Sequence, residues 1–226
     1  MASFTESDIR YVIAEYRTLD ELLDGRARSD GNHQPRDDTS RGSARVRRAE
    51  TASRVRALIA DGRLPQPTYV LPSGEARFPP DYFALVDEAG GVDALPARFR
   101  ARYLAAATAS PAPAADADED WAGYLSGQFG VCLRSVTPEA MAEKNRLIRL
   151  IERLVAAPAE ADPAWRSELR TAVDALDALE RPFTDFDRER WGDTSRGRHI
   201  DGVRARYPIV FGRGAEGREP VGNAAS

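Results

Sequence analysis

The strongest hydrophobic pattern in the chain lies between residues 138 and 156. At about 100° per residue, one arc of this segment is apolar and three arginines lie opposite it. The apolar arc contains Ala140, Met141, Leu147, Ile148, Leu150, Ile151, Leu154 and Val155. Thr137 and Pro138 precede it as N-cap and first helical residue. The pattern predicts an amphipathic core helix over 138–156.

Weaker helical patterns occur on both sides of this segment. They predict helices over 119–133 and 164–180, which short connections should make antiparallel neighbours of the first. Further helices are predicted over 5–17, 18–25, 51–62, 81–89 and 92–106, and a last one runs to about residue 206. Two short extended runs about Ser73 and Gly74 predict a small β-hairpin. The expected fold is therefore mainly α.

Three stretches lack any hydrophobic period. Residues 26–50 have almost no apolar content and predict a mobile loop, and 108–118 have the composition of a linker. Residues 212–226 are expected to be disordered. The chain then divides into an N-terminal module (1–80), connecting helices (81–107), the linker, and a helical bundle over 119–211.

The N-terminal module has the element order of a winged helix. The strings "TLDELLDG" and "GRLPQPTYVLPSGEARF" make residues 5–78 resemble the DNA-binding head of MerR-like regulators. The matching residues are Thr18, Glu21, Leu22, Val55, Arg56, Gly62, Leu64 and Pro65. The resemblance implies a helix-turn-helix, although the long polar loop replaces the tight turn that positions a recognition helix.

Charge leaves two interpretations of this module open. Residues 26–63 carry ten arginines against five acids. Arg47, Arg48, Arg54 and Arg56 are the candidate contacts to DNA phosphates. The alternative is a winged helix that serves only as a scaffold.

Composition restricts the remaining possibilities. The 226 residues carry a formal charge of −4, so no overall cationic field draws the protein to nucleic acid or membrane. No apolar run is long enough to span a bilayer, and no secretory signal is present at the start. Cys132 is the single cysteine, which suits a reducing cytoplasm. With only His33 and His199 as histidines, no metal and no cofactor are expected.

The candidate site is built around Lys144, the single lysine among 31 arginines. It falls inside the apolar arc of helix 138–156. Folding the neighbouring helices back upon it brings Tyr124, Gln128 and Glu180 towards its level, with Cys132 about a turn nearer the connecting loop. A desolvated lysine can act as a base or a Schiff-base nucleophile. The competing interpretation is a structural ion pair with Glu180.

Glycines are unusually frequent on helix 119–133. Gly123, Gly127 and Gly130 line much of the face opposite its apolar side. Each glycine within a helix costs about 1 kcal/mol relative to alanine. Their presence predicts a close approach by another helix or by a ligand.

Long strings in the chain carry a second resemblance. "PTYVLPSGE", "PPDYFALVDEAGGVDAL", "YLSGQFGVCLRSVTPE" and "DALDALERPF" together resemble an actinobacterial family of unknown function whose members are labelled natural-product biosynthesis proteins. The label implies a cytoplasmic protein with a role near a biosynthetic gene cluster. The leading hypothesis is a protein that binds a small-molecule substrate or intermediate in its helical domain, with Lys144 as the ionic or nucleophilic contact. The alternatives are a DNA-binding regulator that senses a metabolite and a non-catalytic partner-binding protein.

Overall fold

Helices form most of the protein. The computed structural model describes residues 3–29, 38–192 and 194–212, and all elements below lie within those ranges. The helices of the first half are α1 (Glu6–Glu15), α2 (Leu19–Ser29), α3 (Asp38–Ala60), α4 (Ala84–Ala89) and α5 (Leu95–Ala106). Those of the second half are α6 (Pro113–Leu125), α7 (Phe129–Cys132), α8 (Pro138–Ala156), α9 (Pro163–Leu179), α10 (Asp185–Trp191), α11 (Gly202–Arg206) and α12 (Pro208–Phe211). A π-helical turn, Gly197–Asp201, leads into α11.

The strongest sequence signals are confirmed almost residue for residue. The predicted helix over 138–156 is α8, and the Thr137 side chain accepts the first-turn amide of Ala140 at 3.2 Å. The helix predicted over 164–180 is α9, capped by Asp162. A capped start followed by a helical apolar period is therefore a sufficient signal for both.

A two-stranded antiparallel hairpin follows α3, as predicted. Strand β1 is Tyr69–Val70 and β2 is Ala76–Arg77, with Tyr69 opposite Arg77. Gly74 takes a φ of +83° in the turn, which explains the glycine at this position. That this hairpin is the wing of a winged helix stays a prediction.

The loop predicted over 26–50 is wrong at both ends. Helix α2 continues through Gly25 to Ser29, and α3 already begins at Asp38; residues 30–37 lie outside the described ranges. Tertiary contacts explain the extensions. Arg26 pairs with Asp87 across the chain, and Arg48 of α3 pairs with Asp24 of α2 at 2.8 Å. Arginine and alanine also favour helix, so a polar stretch needs no apolar period to be helical.

Two further predictions need correction. The linker over 108–118 is too long, because α6 begins at Pro113, a favourable first helical residue. The helix predicted over 119–133 is instead two helices, α6 and α7, divided at Gly127, whose φ is +78°. Helix α10 was not predicted; it starts with a capping box between Thr184 and Asp187. Residues 213–226, predicted to be disordered, lie outside the described ranges.

The hydrophobic core consists of two clusters that share one helix. The first joins α1–α7, the hairpin and the first turns of α8, including Met141. The second joins the rest of α8, from Leu147, with α9, Ile200 of the π-turn, α11 and α12. The division between the two clusters lies inside α8, and the module boundaries near residues 80 and 119 stay a prediction. Among the described residues, no helix combines the length and apolar content that crossing a bilayer requires.

Candidate functional site

Lys144 forms an ion pair with Glu180 at the junction of the two clusters. Its Nζ lies 3.0 Å from Glu180 Oε1, and the residues are 7% and 0% exposed. Ser195 donates its hydroxyl to the same oxygen at 2.7 Å. The other oxygen, Oε2, is buried without a hydrogen-bond partner among the described residues. The partner predicted from the sequence is thus the one observed.

Cys132 completes this buried group. An antiparallel bridge between Leu133 and Glu180 fixes the two chain segments side by side, and Arg181 donates its amide to the Cys132 carbonyl at 2.8 Å. The Cys132 thiol lies within interaction range of the Lys144 ammonium. The structure therefore brings Lys144, Cys132 and Glu180 together.

Electrostatics favour the protonated forms of both Lys144 and Cys132. Burial raises the pKa of the Cys132 thiol, and the nearby Lys144 offsets only part of that rise. Burial alone would lower the pKa of Lys144, but Cys132 and Glu180 outweigh it and raise that pKa above its usual range. An ammonium paired with Glu180 is not a nucleophile in its protonated form, and a protonated thiol is a weaker nucleophile than a thiolate.

Tyr124 and Gln128 are not among the groups that interact with Lys144 in the described part of the chain. Tyr124 is buried among aromatic rings, with its centroid 5.5 Å from both Trp121 and Phe99. Gln128 is exposed, and its side-chain amide covers Gly123. The chain breaks between these two residues and Cys132 at Gly127, whose φ is +78°.

The glycines permit close approach by the chain itself. A side chain on Gly127 would collide with the backbone oxygen of Gln66, and one on Gly130 would collide with the Thr68 hydroxyl. The approaching segment is thus residues 66–68, just before β1. The prediction of a close approach is correct, although the partner is neither another helix nor a ligand.

An open cleft of about 840 Å³ lies between α2 and α4. Its lining includes Leu22, Arg26 and Phe83, with Asp81 at its edge. Asp81 also lines a second, much smaller cavity of about 20 Å³, where Tyr124 forms part of the wall. Asp81 was not predicted as a site residue; a carboxylate inside the otherwise apolar string "FPPDYF" was the available signal.

A second polar cluster lies between α5, α6 and α8. Asn145 donates its amide to the Tyr103 hydroxyl at 3.0 Å and to Asp120 Oδ2 at 2.9 Å. Burial raises the pKa of Asp120 to about 6. Asp120 also was missed, because it falls in the acidic stretch assigned largely to a linker. Within the described ranges, no three metal-binding side chains converge.

The four arginines predicted to contact DNA differ in their surroundings. Arg48 is engaged by Asp24 at 2.8 Å and lies 3.9 Å from Asp20. Arg47, Arg54 and Arg56 are exposed. At 100° per residue Arg56 lies on the opposite side of α3 from Arg47 and Arg54. DNA binding stays a prediction.

The fold and these sites define a helical protein with a polar cleft in its N-terminal half and a buried ion pair in its C-terminal half. The chain belongs to the family of unknown function DUF6058, which matches residues 95–208. No curated protein and no solved structure matches the chain. The cleft precedes the matched segment, whereas Lys144, Cys132, Glu180 and Asp120 fall within it.

Proposed function

We propose that this chain is a protein of natural-product biosynthesis that binds a small metabolite non-covalently in the cleft between α2 and α4. The size of the cleft carries the proposal, because sites for small molecules typically enclose about 300–1,000 Å³. Its lining combines apolar surface from Leu22 and Phe83 with charged groups such as Arg17 and Glu21. This combination suits a ligand that has both a carbon skeleton and polar substituents.

The link to biosynthesis rests on the sequence strings alone. "PPDYFALVDEAGGVDAL", which contributes one wall of the cleft, is among the strings that resemble proteins labelled for natural-product biosynthesis. A metabolite of such a pathway is therefore the first class of ligand to examine.

The cleft replaces Lys144 as the proposed ligand contact. The Lys144 ammonium is occupied by Glu180 and is buried, so a ligand would have to break that pair to reach it. Tyr124 remains close to the proposed site through the small cavity beside Asp81. Binding without a covalent step is the function that this geometry supports best.

A blocked cleft tests the proposal. Ala84 is exposed and lines the cleft, so Ala84→Trp should fill part of it without disturbing the core. Ala105, exposed on α5 and outside the cleft, provides the matched control Ala105→Trp. The measurement is the melting temperature of each protein with a panel of biosynthetic intermediates, since a bound ligand stabilises the folded state.

We expect stabilising compounds to act on the wild type and on Ala105→Trp but not on Ala84→Trp. An equal response of all three proteins would contradict a site in the cleft. A panel without any stabilising compound would contradict the metabolite-binding function itself.

A further inference from the structure

Asp81 has one carboxylate oxygen without a partner. Oδ2 accepts the Ser135 hydroxyl at 2.9 Å and the Val136 amide at 2.8 Å, which fixes the orientation of the side chain. Oδ1 is buried and has no hydrogen-bond donor among the described residues. A buried oxygen of this kind costs free energy until a donor reaches it. The protein thus holds an acceptor in place for a group it does not itself supply.

The small cavity beside Asp81 is lined by Pro65, Gln66 and Gly127 among others. Two hydroxyls in that wall already donate to backbone carbonyls: Tyr82 to Pro65 at 2.7 Å and Thr68 to Gly127 at 3.4 Å. At about 20 Å³, the cavity accommodates a single water or one ammonium group, but not a whole metabolite.

The arginines of the cleft do not neutralise Asp81. Arg26 pairs with Asp87 and lies over the Phe83 ring, 4.5 Å from its centroid. Arg17 donates to the carbonyls of Ala14 at 2.9 Å and Tyr16 at 3.2 Å. Among the described residues, no cationic side chain is within ion-pair distance of Asp81, so a charged donor from solution meets no competitor there.

We propose that Asp81 is the specificity-determining residue of the cleft and that it binds the protonated amine of an amine-bearing metabolite. This inference rests on the proposed function and names the chemical class of its ligand. The ammonium donates to Oδ1 beside the small cavity, while the rest of the ligand occupies the cleft, which Asp81 also lines. A charge-assisted hydrogen bond to a desolvated carboxylate is stronger than one from a neutral alcohol.

Matched probes test this inference. Isothermal titration calorimetry compares linear alkylamines with alcohols of the same carbon skeleton on wild type, Asp81→Asn and Ser135→Ala. The Asn side chain keeps one oxygen for the Val136 amide but loses the charge. Ser135→Ala removes a donor to Oδ2 and leaves Oδ1 unchanged. We expect the wild type to prefer amines by about tenfold or more, Ser135→Ala to keep the preference, and Asp81→Asn to lose it.

Two results would overturn the inference. Equal affinity for amines and alcohols on the wild type would mean that the cavity holds a water only. The proposed function survives this outcome if compounds that stabilise the wild type still fail to stabilise Ala84→Trp. If no probe and no metabolite binds, both fail together. Chemical denaturation without ligand shows whether the variants fold. The free energy of unfolding of Asp81→Asn should be at least as high as that of Ser135→Ala. A lower value for Asp81→Asn would show that Oδ1 already has a partner.

Discussion

The hydrophobic core accommodates the Lys144 ammonium because a counter-charge and hydrogen-bonding groups surround it. Lys144 lies between Met141, in the first cluster, and Leu147, in the second. Glu180 supplies the counter-charge, and the Ser195 hydroxyl donates a hydrogen bond to the Glu180 carboxylate. Arginine would need room for a planar guanidinium and its five donors, whereas lysine needs space only for a compact ammonium. This explains the single lysine of an arginine-rich chain.

Removing the lysine should leave a buried charge behind. We expect Lys144→Met to lower the free energy of unfolding by about 3–5 kcal/mol, because Glu180 would remain desolvated and unpaired. The double change Lys144→Met with Glu180→Gln should recover most of the loss. Urea denaturation measures both. If the single and double variants lose the same amount, the pair does not contribute as an ion pair.

Removing the charge of Asp120 should, in contrast, raise the free energy of unfolding at pH 7.5. Its pKa is raised from 3.8 to about 6, first by burial and then by the charges of Glu119 and Asp116. The folded state therefore prefers the protonated acid, and this contribution to stability is full below pH 3.8 and lost as the pH rises through about 6. At pH 7.5, the free energy of unfolding of Asp120→Asn should exceed that of the wild type by on the order of 1–2 kcal/mol, allowing for solvent screening.

The difference between Asp120→Asn and the wild type should shrink as the pH falls towards 4. The exposed Asp201→Asn provides the control, which should show no such trend. A difference that stays constant between pH 4 and 7.5 would contradict a raised pKa for Asp120.

Among the elements, the break between α6 and α7 depends on one glycine. Gly127 and Gly90 both have positive φ, +78° and +75°, but only Gly127 also faces nearby backbone, at Gln66. Gly90→Ala should cost about 1 kcal/mol of backbone strain. Gly127→Ala should cost more than twice as much, because the Gln66 carbonyl cannot move aside as a flexible side chain could. Equal losses in thermal unfolding would show that strain alone explains the glycine.

The same break shows which structural features the sequence patterns do not predict. Period and caps predicted α8 and α9, because both signals are local. They also placed Lys144 beside Glu180. They did not predict the break between α6 and α7, since the apolar period runs on through Gly127. Nor did they predict α3 from residue 38, because its polar half is held by distant groups such as Asp24. Contacts remote in sequence leave no local periodic signal.

At the scale of the whole molecule, α8 belongs to both hydrophobic clusters. A second link is Leu179 at the end of α9, which packs against both clusters. Neither cluster therefore loses its structure without exposing surface of the other, and the two should unfold as one unit.

Tryptophan fluorescence tests this coupling. Trp121 packs on the first cluster and Trp165 lies within the second, whereas Trp191 is exposed. Two variants, each with one of the buried tryptophans as its only indole, should give the same urea midpoint after correction for the stability of each variant. Separate midpoints would mean that α8 does not couple the clusters.

The isolation of the one lysine has a practical consequence. Reagents that acylate primary amines meet no side-chain amine on the folded surface, because Lys144 is 7% exposed and held by Glu180. Its acylation must wait for the junction between the clusters to open, so the labelling rate reports the frequency of that opening. Lys144, considered first as a catalytic residue, is therefore an intrinsic probe of how often the junction between the two clusters opens.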